Sequence, residues 1–292
     1  MPKIYIWYSP STSVTGRRLA QRLGLSRRSP SSFDREYGTR IPPTGTTHVV
    51  CWGGREPIRW KDYRERNLRK RKVLNNPFKT ELFKDKLKAL ERMEEAEVSI
   101  PLLYTPPPQN YIMGGVVTPE LHQRHLEELR SQVNNQFPIV GRKKYHWGGS
   151  GFNFIRNVEQ LIDDHQSDYW LEYIDGEDKR EYRVHVFKGE VIRVQRKREK
   201  EGFENRPLHN ECRSHKNGWY FSLCDRDRVH PTIMEEAVKA VSSLRYDFGA
   251  VDVIRVPGQD RTVVLEVNSG VGLDDSSIEI YVDKIREWIE VD

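Results

Sequence analysis

Near the C-terminus, Gly249 to Val256 and Arg261 to Asn268 flank the turn residues Pro257-Gly258-Gln259-Asp260 and predict a β-hairpin. A turn centred near Gln259 sets Asp252 opposite Glu266, with Cβ atoms about 5 Å apart, and puts Asn268 on the face of Glu266. Opposed carboxylates repel, and strands otherwise written Val-Asp-Val-Ile and Val-Leu-Glu-Val-Asn have no structural use for them. A hard divalent cation would relieve the repulsion, and two carboxylates with an amide oxygen suit magnesium. The plainer alternative is a row of solvent-facing polar residues, and a slip of one residue would move one carboxylate to the other face.

Two further groups have chemical potential. The loop His146-Trp147-Gly148-Gly149-Ser150-Gly151 follows a strand ending in Arg142-Lys143-Lys144, so backbone N–H groups and basic side chains are available to phosphate oxygens, although a plain hairpin loop would look the same. A second hairpin turns about Lys188-Gly189. A two-residue turn pairs Glu181 with Arg196 and places Glu181, Arg183 and His185 on the face of Val194, Arg196 and Arg198. That face is either a cross-strand ion pair or a pair of guanidinium groups held towards phosphate. His185, His209 and His215 lack ligand spacing, and no activated serine or cysteine is recognisable.

These groups need a scaffold. Lys3 to Tyr8 and Thr47 to Trp52 predict strands, with helix caps in Ser9 to Thr15, a helix to Leu23 and an irregular connection over Ser26 to Thr46. Lys79 to Ala96 has helical spacing, and the proline-rich Ser99 to Gln109 predicts a linker. Strands follow at Phe137 to Arg142 and Tyr169 to Ile174, separated by a helix near Asn157 to His165. Pro231 opens another helix, and Ile278 to Ile289 closes the chain as a helix. The class is α+β.

The 292 residues carry 48 Lys and Arg against 43 Asp and Glu, a net charge of +5 that leaves room for a nucleic-acid partner without requiring one. The basic stretch Arg55 to Lys72 is either a solvated helix face or an anion-binding surface. Three dispersed cysteines favour a reducing compartment without structural zinc. No segment reaches the roughly 18 apolar residues of a spanning helix. The opening residues lack secretion-signal features, so the expectation is a cytoplasmic protein.

Taken in order, Phe137-Pro138-Ile139-Val140-Gly141-Arg142, Trp147 to Gly151, Trp170 to Ile174, Glu181-Tyr182-Arg183-Val184, Ala250-Val251-Asp252-Val253 and Leu265-Glu266-Val267-Asn268 resemble the ATP-grasp superfamily. The branch is that of carboxylate-amine ligases similar to the ribosomal-protein glutamate ligase and glutathione synthetase. The resemblance implies two α+β subdomains gripping ATP, a lid over 98–174 and a core over 175–292, after a small α/β unit over 1–97. It also implies Arg142, Lys144, Gly148, Gly149, Ser150, Gly151, the backbone of Glu172, Tyr173 and Ile174, and Glu181 around the nucleotide. Arg183 and Arg196 would face the reacting phosphate, and Asp252, Glu266 and Asn268 would hold Mg2+.

The implied activity is ATP-dependent joining of a small-molecule or peptide carboxylate to an amine through an acyl phosphate, without a covalent nucleophile. A phosphotransferase of the same fold, or a non-catalytic nucleotide or nucleic-acid binding module, is the alternative. Lys197 to Asp227, rich in basic and aromatic residues, would wall the substrate site with Arg198, Arg213 and Asn217, so that Arg213→Ala would raise KM for the carboxylate alone. A similar stretch in virus-encoded members makes a phage origin, and hence host cytoplasm, compatible with the sequence.

Overall fold

The structure, a computed structural model, describes residues 3–8, 13–25, 33–34, 39–40, 45–53, 71–76, 80, 85–104, 119–145 and 150–291. Most of the connection expected over Ser26 to Thr46, the basic stretch up to Lys70, the linker beyond Tyr104, and His146 to Gly149 with Gly148 lie outside the described residues.

The first unit is a parallel sheet of β1 (Ile4–Tyr8), β4 (His48–Trp52) and β5 (Lys72–Leu74), in the order β1-β4-β5. Helix α1 (Val14–Arg22) is capped by Ser13, whose hydroxyl accepts from the Gly16 N–H at 3.0 Å. Two-residue strands β2 (Phe33–Asp34) and β3 (Thr39–Arg40) pair with each other.

Helix α2 (Lys86–Glu95) then leads to β6 (Leu103–Tyr104), a strand where a linker was expected. After α3 (Pro119–Gln132) come β7 (Ile139–Arg142), β8 (Asn153–Ile155), α4 (Val158–Ile162) and β9 (Tyr169–Glu172). The four strands form an antiparallel sheet in the order β6-β9-β7-β8. Alternation sends Ile139, Ile155 and Trp170 into one core with α3 and α4. The opposite face carries Arg142, Phe154 and Tyr169.

A five-stranded antiparallel sheet, ordered β12-β11-β10-β13-β14, carries the rest. Its strands are β10 (Arg180–Phe187), β11 (Glu190–Glu199), β12 (Trp219–Leu223), β13 (Phe248–Val256) and β14 (Arg261–Asn268), with helix α5 (Pro231–Ser243) before β13 and α6 (Asp275–Val291) after β14. One face sends Tyr182, Val184, Val194, Val253 and Val264 into a core shared with Ile233 and Val241 of α5 and with Leu87, Leu90 and Met93 of α2. Thus α2, which a boundary at residue 97 leaves in the first unit, packs against the large sheet. On the other face Phe187, Phe248 and Ala250 join α6 and the Ile6, Leu19 and Trp52 side chains of the first unit in a second core.

The first unit is also tied to the large sheet by a buried amide. Asn75, fully buried with φ +52°, accepts at Oδ1 from the N–H groups of Asp247 and Phe248 and donates from Nδ2 to the Phe248 carbonyl. Its own N–H donates to the Asp247 carboxylate at 2.6 Å. Asparagine tolerates this left-handed conformation better than most residues. Asn75→Ala strands the buried N–H and carbonyl of Phe248 and the half-buried N–H of Asp247, so urea unfolding should show a loss of about 3 kcal/mol with an unchanged m-value. A loss below about 0.5 kcal/mol, the range of ordinary surface substitutions, would refute this role.

Candidate active site

The strand register assembles one row of polar side chains across the large sheet. Glu266 stands opposite Asp252, Asp252 opposite Arg183, and Arg183 opposite Gln195, on β14, β13, β10 and β11 respectively. The expected opposition of Asp252 and Glu266 is present. It depends on a bulge: Val253 pairs with Val264, so Leu265 is the extra residue that brings Glu266 level with Asp252.

The two carboxylates are already furnished with cations. Arg183 grips Asp252 bidentately, Nε to Oδ1 at 2.7 Å and Nη2 to Oδ2 at 2.8 Å. Burial works against the Arg183 charge, but Asp252 overrides it and the guanidinium pKa is raised. The Lys86 ammonium lies 3.4 Å from the Glu266 carboxylate and donates to Asn268 Oδ1 at 3.2 Å and to the Val267 carbonyl at 3.3 Å. Asn268 Nδ2 donates to Glu266 Oε1 at 2.8 Å.

Sequence reasoning missed Lys86. Its one local signal is position: a cation at the first residue of a helix opposes the helix dipole, and only Asp85 caps it. The Lys86 N–H also donates to the Lys144 carbonyl, while the Lys144 N–H donates to Asp168, so Lys144 meets the site through its backbone.

The second hairpin departs from the expected register. Lys188 and Gly189 both have positive φ, as a two-residue hairpin turn requires. However, His185 pairs with Arg193 while Val186 pairs with Val191, so Ile192 is bulged and every pair beyond it moves by one. Arg196 therefore stands opposite Tyr182, and Arg196 and Arg198 share the α5 side of the sheet, away from Arg183. Lys197 takes the place expected of Arg196. Its Nζ meets the buried Glu181 at 2.5 Å and lies 5.0 Å from the Phe221 ring centroid, the same ring that Arg183 covers at 4.1 Å.

Beyond Glu181 the face turns towards the smaller sheet. Arg213 lies 3.6 Å from Glu181, donates to the Lys179 carbonyl at 3.2 Å and stacks on Trp219 at 4.5 Å. Asn217 Nδ2 donates to the Cys212 and Leu208 carbonyls. Both residues thus hold the 200–218 segment together, so Arg213→Ala would loosen that segment as well as any substrate wall. Lys179 Nζ donates to the Tyr173 hydroxyl at 2.8 Å and to the Ile174 carbonyl at 3.0 Å. Burial lowers the Lys179 pKa to about 8 and pushes the Tyr173 phenol up to about 12.

Glu172 braces the passage between the sheets. Arg261 holds its carboxylate bidentately at 2.5 and 2.6 Å, overriding the upward push of burial so that the pKa falls, and Leu102 N–H adds a third bond. The Glu172 N–H is itself committed to the Leu102 carbonyl. Arg142 lies against Tyr169 and 5.7 Å from the Phe152 ring. Ser150 is exposed, and Gly151 has φ +64°, where a Cβ would meet Lys143 at 2.9 Å. Gly149, like Gly148, is outside the described residues. Among the described residues no three His, Cys, Asp or Glu side chains cluster as metal ligands, so the donor set is two carboxylates and one amide.

Two measurements follow. Lys197→Met should weaken binding of a non-hydrolysable ATP analogue about tenfold and Arg196→Met less than about twofold, by fluorescence titration; the reverse order would restore the unbulged register. The depressed Lys179 pKa means the folded chain releases a proton that the unfolded chain keeps. Stability should therefore rise with pH between about 8 and 10.5, and Lys179→Met should flatten that slope in urea titrations.

The described residues contain no helix long and apolar enough to cross a membrane. The family model of the RimK-like ATP-grasp domain matches residues 120–291. No curated protein matches the sequence. Among solved structures, the ATP-grasp ligase PsnB complexed with a minimal precursor is similar at TM-score 0.59 and 13% identity, covering 98% of this chain and 99% of that one. D-alanine--D-alanine ligase from Bacillus anthracis is similar at TM-score 0.61 and 12% identity, covering 99% and 97%. A RimK-domain ATP-grasp protein from Sphaerobacter thermophilus gives 0.57 and 11%, covering 98% of each. At these identities the structures establish the fold, and with the domain match over more than half of its length the chain belongs to the RimK-like ATP-grasp family.

Proposed function

We propose that the chain is an ATP-dependent ligase that joins a carboxylate to an amine. The observation carrying this reading is the row Glu266–Asp252–Arg183 with Lys86 and Asn268 at its end: carboxylates and cations fixed side by side, with no nucleophile among them. Such a row suits phosphate transfer to an oxygen supplied by a substrate, where positioning and charge neutralisation do the catalysis. The similar ATP-grasp ligase PsnB is complexed with a minimal precursor, Mg and ADP, and a D-alanine--D-alanine ligase is similar as well, which supports a carboxylate borne on an amino acid or on a larger precursor.

The donor set fits magnesium, because the ammonium of Lys86 already rests between Glu266 and Asn268 Oδ1, where a cation is stabilised. Asp252, Glu266 and Asn268 would hold the ion, which supplies neutralisation of the β and γ phosphates. Arg183, bonded to both oxygens of Asp252, fixes the orientation of that carboxylate. Lys86, on a helix packed into the large sheet, would supply a further positive charge to the phosphates from beside Glu266 and Asn268. Lys197 and Glu181, paired on one side of Arg183, would face the ribose, and the Phe154 and Tyr173 rings, edge to face at 4.9 Å, would wall the adenine.

In the reaction the substrate carboxylate oxygen bonds to the γ phosphorus as the bond to the β-phosphate oxygen breaks and ADP leaves. The amine nitrogen then bonds to the acyl carbon, loses a proton, and inorganic phosphate departs. Incubation with Mg2+, ATP and pooled amino acids and short peptides, followed by mass spectrometry, should reveal a product equal to the two substrates minus one water. Glu266→Gln should lower ADP release about 100-fold, the scale for losing a main electrostatic contact. A stable phosphorylated product, or undiminished ADP release in that variant, would count against the reading.

A further inference from the structure

One polar row on the site face is used by none of the chemistry above. His185, fully buried, lies two residues beyond Arg183 on β10. Its Nε2 is 3.0 Å from Gln195 Oε1 and its Nδ1 is 3.2 Å from the Tyr281 hydroxyl. Gln195 Nε2 donates to Asp274 Oδ2 at 3.2 Å.

The direction of each bond can be deduced. A carboxylate only accepts, so the Gln195 amide presents NH2 to Asp274 and its oxygen to His185. His185 therefore carries its proton on Nε2, and Nδ1 accepts from Tyr281. Burial, which lowers the His185 pKa to about 4, keeps this neutral form across the working range. The result is one ordered chain, Tyr281 to His185 to Gln195 to Asp274. Both ends lie on the last segment of the protein, Asp274 just before α6 and Tyr281 within it. Sliding α6 along the sheet would break both ends together.

Asp274 is also where α6 begins. Its Oδ1 accepts from the Ser277 N–H at 2.7 Å and from the Ser276 hydroxyl at 2.8 Å. Between Asn268 and Asp274 the backbone passes so close to the first unit that a Cβ on Gly270 would meet Gly53 Cα at 2.5 Å, and Leu273 is bonded to Thr15 and Arg18. Along β10 the face runs from Glu181 on the nucleotide side, through Arg183 level with the carboxylates, to His185, about 7 Å per step. The segment 269–274 leaves β14 at Asn268, level with His185, and reaches Gln195 on β11 at Asp274, so on the ligase reading it lies where a group receiving the γ phosphate would enter.

We propose that His185 and Gln195 are positioning residues that lock the register of α6 and so hold the segment 269–274, the second-substrate side of the site, against the metal side. The lock rests on the ligase reading only for which substrate that segment meets.

Hydrogen exchange on the full chain tests it. Gln195→Glu still accepts from His185 but faces Asp274 with a second carboxylate, whereas Gln195→Glu with Asp274→Asn restores a donor to the same bond and keeps a capping oxygen. Exchange over residues 269–277 should quicken about tenfold in Gln195→Glu and return to within about twofold of wild type in the double variant. Affinity for the imido analogue of ATP with Mg2+ should stay within about twofold throughout. Unchanged exchange in Gln195→Glu, no recovery in the double variant, or nucleotide affinity falling in step with exchange would each overturn the lock. Failure of the wild-type chain to bind the nucleotide would sink the ligase reading instead, leaving the exchange data to decide the lock.

Discussion

Asp252 and Glu266 stand directly opposed on neighbouring strands, and their mutual repulsion is the constraint around which the site is built. In a half-buried position two such charges are costly unless cations lie within a few ångströms. The fold supplies them from different directions: Arg183 from the neighbouring strand within the sheet, and Lys86 from a helix whose apolar face is buried under that sheet. Neither cation can be removed without leaving a carboxylate uncompensated. A site with this balance is prepared for a ligand that brings both a divalent cation and phosphate anions, because it already holds each sign at fixed places.

The surrounding architecture carries that arrangement outward. Tyr182, Val184 and Val253 alternate with the polar row and bury the reverse face, so the site side chains cannot turn away without exposing the core. Glu172, held by Arg261, and Ser99, whose carbonyl accepts from Val264 N–H, fix both chain crossings between the smaller sheet and the large one. Apolar packing joins these polar ties: Tyr169 and Leu171 of the smaller sheet share the core of the large one, and Ile174 packs with Ile254, Val256 and Val263.

Much of this was legible in the sequence, and the exceptions share a cause. The last hairpin, the Lys188-Gly189 turn and Pro231 at the start of α5 all follow from local patterns with a period of two or a capping position. A β-bulge leaves no mark on such a pattern. At Ile192 it moved Lys197 into the position expected of Arg196, and at Leu265 it completed the pairing that the carboxylates require. Lys86 and Arg261 could not be found locally because their partners lie far along the chain. In the 200–218 segment basic and aromatic residues fold the loop, as Arg213 and Asn217 do here, and no local pattern separates that role from walling a substrate.

The most direct test of the central claim is uptake of Mn2+, a paramagnetic substitute for Mg2+, followed by electron paramagnetic resonance with the imido analogue of ATP present. The wild-type chain should take up the ion in a saturable, nucleotide-dependent way, and Asn268→Leu, which removes the amide donor while leaving both carboxylates, should weaken that uptake about tenfold. Equal uptake by the two proteins, or uptake indifferent to the nucleotide, would contradict the assignment of the paired carboxylates and Asn268 as one cation site.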